Sequence, residues 1–310
     1  MISLYKAKVK ATTVFNNALD AFASFPSVIS SSGNFVLPNN ALPLVNLVVH
    51  GGGGGSGPAT PGTATPVTPP VSDQVTFATD YAAARFLQHS QFSSSEAEIA
   101  AVKSMGASAW LDSQMSLPSS LGGWDWLAKQ GYNAIDSNQF YQMDYQANFM
   151  AWQQIMAAPD GVRRRMALAL SEFFVASISG VSTISWAQFA MGHYWDILCN
   201  NAFGNYRQLL EEVTLSIAMG EFLNTLGNQK EDAATGRLPD ENYSREVMQL
   251  FTIGLQQLNI DGSLVKVNGA PVETFTQSDV SNLARVFTGY QADDTEGWFE
   301  SVVPPTYRVR

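Results

Sequence analysis

Between Gly51 and Pro70 the chain can enter neither a helix nor a central strand. Gly51 to Gly55, Ser56 and Gly57 run into Pro58, Pro61, Pro66, Pro69 and Pro70. Glycine carries the most backbone entropy into the unfolded state, and proline removes an amide donor and favours extended geometry. The stretch reads as a linker over 51–72, with a poorly ordered leader over 1–50 and a helical domain over 73–310. Gly52, Gly54 and Gly57 satisfy G-x-G-x-x-G only because the run is glycine. Without a preceding β-α-β pattern, and with Pro58 next, the match implies no dinucleotide site.

Composition removes other classes. A net charge of -10 argues against a surface that replaces counterions along phosphates, so no nucleic acid partner is expected. Charge is uneven: 15 Asp or Glu face 5 Lys or Arg between Leu209 and Glu300, so the rest of the chain is neutral. Solvated helix faces account for such a stretch, with a cation-binding face as the sharper alternative. A single cysteine, Cys199, rules out a disulfide framework and a CxxC site. In the leader, the stretch from Val36 to Val49 is too short and too polar to span a bilayer, so no transmembrane segment is expected. Lys6, Lys8 and Lys10 lie too far upstream for a convincing signal peptide. The junction with the linker resembles a bacterial lipoprotein start. Leu47-Val48-Val49-His50 has no cysteine to acylate, so no lipid anchor is expected by that route.

From Val71 onward, helix signals follow one another. Ser93-x-x-Glu96 is read as a capping box with Gly106 closing the helix behind it. A short helix carries Trp110, Leu111 and Met115, and longer ones are expected over 139–157, 162–177, 185–201, 206–223, 240–253 and 279–287, the last behind a Thr276-x-x-Asp279 cap. Asp261-Gly262 and Asn268-Gly269 punctuate β-branched residues, which predicts a small hairpin or meander over 258–275. The fold class is mainly α, a multi-helix orthogonal or bundle-like domain.

Four groups could carry chemistry. In Pro239-Asp240-Glu241-Asn242-Tyr243-Ser244-Arg245-Glu246, helical spacing puts Tyr243 and Val247 on the core face, Asn242 and Glu246 along its edge, and Arg245 outside within reach of Glu241. This gives either edge groups bonded to neighbouring backbone or a polar cluster lining a pocket. Glu172 sits in the most apolar helix, where a carboxylate must be paired or protonated; Arg165 is the expected partner, and a general acid or base is the alternative. His193 and Asp196 share a helix side with Asn200 and form a weak metal candidate with too few ligands for zinc. Cys199 reads as a small buried residue. Finally Trp124, Trp126, Tyr132, Phe140, Tyr141, Tyr145, Phe149 and Trp152 fall within 29 positions, as core packing or as platforms for sugar rings. Neither a Gly-x-Ser-x-Gly elbow, a phosphate loop nor a His-Glu-x-x-His motif occurs, and no cofactor is indicated.

Several ordered blocks carry a family likeness. Ala84-Arg85-Phe86-Leu87, the run from Arg164 to Ser177, Phe203-Gly204-Asn205-Tyr206-Arg207, the run from Leu238 to Gly254, Phe275-Thr276-Gln277 with Asp279-Val280, and Ala284-Arg285-Val286-Phe287-Thr288-Gly289-Tyr290 together resemble the domain-of-unknown-function 1800 family. The resemblance implies a bacterial, mainly helical and often exported protein, hence an extracytoplasmic address in periplasm or cell surface, without an agreed activity. Some members carry histidines in the segment corresponding to Ser171-Glu172-Phe173, which would suit metal binding; Ser171 and Phe173 here weaken that implication. Members also continue beyond the last block, and the chain reads as a C-terminally truncated copy. Two functions are expected: an exported binding or scaffold module with an envelope protein or glycan partner, or a hydrolase using Glu172, Asn242 and Glu246, with Arg245, Asp279 and Arg285 as binding residues.

Overall fold

A buried ion pair, Asp160 with Arg164, stands against the main apolar core. The computed structural model describes residues 75–133, 143–181 and 183–292. The leader, the linker, the tail beyond 292, and Phe140 and Tyr141 lie outside them. The described chain is mainly helical: α1 (Asp80–Ser90), α2 (Glu96–Met105), α3 (Ala107–Met115), α4 (Gly123–Lys129), α5 (Gln146–Ala157), α6 (Gly161–Phe173), α7 (Ala187–Asn200), α8 (Tyr206–Thr214), α9 (Ile217–Phe222), α10 (Asn242–Glu246) and α11 (Gln277–Val286).

Helix ends follow from local chemistry, with two changes of register. The first capping box is Ser95 with Glu98, two residues later than expected, because the serine run offers S-x-x-E twice. Ser93 instead donates from Oγ to Glu98 Oε1 at 2.8 Å. The helix expected over 206–223 is two helices, since the Ser216 hydroxyl accepts from Met219 N and caps α9. The Thr276 cap holds: Asp279 Oδ2 accepts from both the amide and the hydroxyl of Thr276, each at 2.8 Å.

The expected meander forms on the surface. Strands β1 (Lys266–Val267) and β2 (Ala270–Pro271) pair antiparallel around Asn268-Gly269, where both residues have positive φ, as a two-residue hairpin turn requires. Bridges Leu258 to Leu264 and Gln256 to Glu273 extend it.

The main core gathers around α7, whose Phe189, Tyr194, Leu198 and Cys199 are fully or almost fully buried with Leu127, Met150, Phe174 and Ile217. A smaller cluster joins Leu87, Val102 and Trp110 under α1 to α3. Helix α4 reaches α7 through glycine: a Cβ on Gly192 would stand 2.9 Å from Leu127 Cδ1 and 3.2 Å from the Trp124 amide nitrogen. Gly192→Ala should therefore cost about 1–3 kcal/mol by overpacking this crossing. Equilibrium denaturation is the check, and an unchanged midpoint would mean that the two helices do not approach as described.

Candidate functional site

The helix expected to bury Glu172 buries arginines instead. On α6 the inward residues are Gly161, Val162, Arg163, Arg164 and Ala167, while Glu172 is exposed. This corrects the expectation of a carboxylate inside the core. The Glu172 charge does act on Arg165, its expected partner; it partly offsets the burial that lowers the Arg165 pKa. Arg164, with 0% exposure, donates from Nε to Asp160 Oδ1 (3.1 Å), from Nη1 to Cys199 Sγ (2.9 Å) and from Nη2 to Ser120 Oγ (2.7 Å). Arg163 donates to the carbonyl oxygens of Cys199 and Leu117. Burial pushes Asp160 upward, yet the Ser120 hydroxyl and amide, with the Arg164 charge, hold it below the ordinary carboxylate range.

His193 and Asp196 serve different neighbours. Asp196 accepts from the Gly123 and Trp124 amides at 2.6 and 3.0 Å and so neutralises the start of α4; burial raises its pKa against those bonds. His193 lines a cavity of about 310 Å³ between α7 and α8 with Ile197, Gln208, Glu211, Glu212 and Leu215. Glu212 accepts there from Asn201 Nδ2 (2.7 Å) and Gln208 Nε2 (2.9 Å). Among the described residues no group of three or more His, Cys, Asp or Glu is placed to hold a metal.

The 238–254 block is largely occupied in joining elements. Asp240 accepts from the Asn242 amide and from Asn224 Nδ2, and its backbone exchanges bonds with Asn228, which also donates to Phe287 O. Glu241 pairs with Arg245 at 2.9 Å and accepts from Gln277 Nε2 (2.7 Å) and Ser281 Oγ (2.6 Å), clasping α10 to α11. Tyr243 is buried against Phe251 and Phe287 with its hydroxyl 2.6 Å from Thr214 Oγ1. After Glu246 the helix widens into a π-turn over Val247–Phe251, closed by Gly254 at φ 70°. Asn242 is exposed and Glu246 half-buried; no hydrogen bond or ion pair joins either to the other or to Glu172. Of the expected binding residues, Arg245 pairs with Glu241, Asp279 caps α11, and Arg285 pairs with Glu231 at 2.8 Å.

A family model described as "Protein of unknown function (DUF1800)" matches residues 85–305. The chain belongs to the DUF1800 family. No curated protein and no solved structure matches it.

In this DUF1800 chain the aromatic group of 124–152 divides between core and surface, and its exposed part lies on α5. Trp124, Trp126 and Tyr132 pack against the core as one reading had them. Tyr145, Phe149, Trp152 and Met156 do not; they are 45, 54, 64 and 69% exposed. Their 4-3-4 spacing keeps them within about 60° of arc at about 100° per residue. The opposite face buries Gln146 and Gln154 beside Ala147 and Met150. Neither amide atom of Gln146 has a hydrogen-bond partner among the described residues, and Gln154 Nε2 donates to Leu121 O at 3.0 Å. From Tyr145 to Pro159 there is no charged residue.

Cys199 is fully buried, and burial pushes its thiol up to about 12 despite the nearby Arg164 charge. Thiolate is the reactive form, so iodoacetamide at neutral pH should leave the native chain unmodified and label it once unfolded. Native labelling at the rate of a free thiol would contradict the site.

Proposed function

We propose that this chain is an exported helical binding module of the bacterial envelope or cell surface, which acts by contact through the outer face of α5. One observation carries the reading: four large apolar side chains stand in a single exposed row on a segment without charge, in a chain of net charge -10. A soluble domain ordinarily turns such residues inward, and contiguous exposed apolar patches mark interaction sites. Export and envelope address rest on family membership and on the Gly/Pro-rich tether ahead of the domain. In the other places where the sequence concentrates polar chemistry, the groups are already bonded to one another: Glu241 to Arg245, Gln277 and Ser281, Asp196 to the start of α4, and Asp160 to Arg164. Among the described residues no helix is long and apolar enough to cross a membrane, so contact with the envelope through these residues would be lateral.

The alternative reading, a hydrolase using Glu172, Asn242 and Glu246, has one observation in its favour. Among the described residues Glu246 Oε2 is enclosed without a hydrogen-bond partner beside the π-turn, and such turns occur often at functional sites. Glu172 and Asn242 are exposed, and among the described residues neither is bonded to the other or to Glu246.

Co-sedimentation with washed bacterial envelopes tests the binding reading. The full chain should pellet with the envelopes, and the Phe149→Ala/Trp152→Ala pair should shift it to the supernatant at an unchanged unfolding midpoint. A full chain that stays in the supernatant overturns the reading.

A further inference from the structure

We infer that the α5 face binds a neutral polysaccharide chain lying along the helix, an assignment that rests on the binding reading above. Three observations narrow the occupant. The first is area. Exposures of 45, 54, 64 and 69% on side chains that each offer about 200 Å² leave a strip of roughly 450 Å². A protein partner of ordinary stability covers about 800 Å² on each side, so a second copy or another protein would find too little here. The strip is long and narrow: the eleven steps from Tyr145 to Met156 at about 1.5 Å each give about 16 Å along the axis. An extended chain of sugars has that shape.

The second observation is charge. The segment from Tyr145 to Pro159 holds no Asp, Glu, Lys or Arg, whereas the chain as a whole is at -10. An anionic glycan would meet long-range repulsion and no local cation. A cationic partner would be drawn instead to the acidic stretch after Leu209. A neutral ligand fits an uncharged row.

The third is the mixture of groups. A pyranose ring has an apolar face of C–H groups and a rim of hydroxyls that both donate and accept. The aromatic row offers ring faces and edges, with Tyr145 and Phe149 5.5 Å apart and edge to face. Asn148 and Gln153 are exposed and flank the row on its two sides at helical angles of about -60° and +80° from Tyr145. A carboxamide both donates and accepts, which matches a hydroxyl rim on each side of a stacked ring. A lipid surface would have no use for amides in this position, and basic residues that would attract anionic headgroups are missing from the segment.

The test uses the full chain with cellohexaose and N-acetylchitohexaose as neutral probes and an oligogalacturonate of equal length as the acidic control, read by tryptophan fluorescence and titration calorimetry. At least one neutral probe should bind. Trp152→Ala should weaken that binding by about tenfold, Trp152→Phe should retain most of it, and Asn148→Ala/Gln153→Ala should weaken it severalfold. The unfolding midpoint should not move, because these side chains are exposed. The acidic probe should bind more weakly than the neutral one. Absence of binding by both neutral probes, or equal binding by the Trp152→Ala variant, overturns the glycan assignment. If envelope co-sedimentation then still depends on Trp152, the contact reading survives with a different occupant. Concentration-dependent dimerisation lost in Trp152→Ala would name a second copy as that occupant and equally overturn the assignment.

Discussion

The fold depends on a fully buried arginine whose charge is met inside the protein. Arg164 reaches Asp160, Ser120 and Cys199, and so ties the loop around 117–121 to the start of α6 and the end of α7. Taking such a pair out of water costs several kcal/mol per ion, which mutual attraction offsets only when the remaining donors and acceptors are also satisfied. Here they are: Asp160 receives two bonds from Ser120 and one from Arg164. Because the Asp160 pKa is depressed on folding, its contribution is complete above the ordinary carboxyl value of about 4 and is lost as pH falls through the folded value. What such a network provides is geometry, since each partner has one place in which it is satisfied.

Around that centre, several polar groups turn inward to join elements. Asp196 spends its charge on the amides that open α4, and the glycines at the α4 and α7 crossing allow the close approach that this bond needs. The α10 block spends Glu241 and Arg245 on holding α11. Helix α5 buries Gln146 and Gln154 with Ala147 and Met150 and leaves an aromatic row outside. Leaving roughly 450 Å² of apolar surface in water forgoes on the order of 10 kcal/mol of burial at about 25 cal/mol per Å². Local choices that run against folding are expected where a surface has another use.

Much of the architecture was legible in the sequence for local reasons. The Thr276 and Asp279 cap, the Asn268-Gly269 turn and the i, i+4 pair of Glu241 with Arg245 depend on residues a few positions apart, and each stands where its spacing puts it. The first capping box slipped by two residues because Ser93 and Ser95 both satisfy the pattern. Burial was harder, because it depends on partners far along the chain. In α6, apolar residues surround Glu172 in sequence, yet Asp160 and Ser120 draw Arg164 inward and leave Glu172 in solvent. In α5, composition alone favoured core for the aromatics, while the neighbouring helices meet its other face. The one available sign was that Tyr145, Phe149, Trp152 and Met156 form a helical row whose opposite side carries glutamines rather than charges. The candidate site was legible only as aromatic density, without its face.

The central claim is that the Asp160 and Arg164 pair sets the geometry on which α4, α6 and α7 assemble. A double-mutant cycle by denaturant unfolding, with Asp160→Asn, Arg164→Met and the two combined, tests it most directly. The account predicts that each single change costs about 3–5 kcal/mol, by leaving a buried partner unsatisfied, and that the double change costs clearly less than their sum. Small and additive losses would contradict it, and would move the organising role to the apolar contacts of α7.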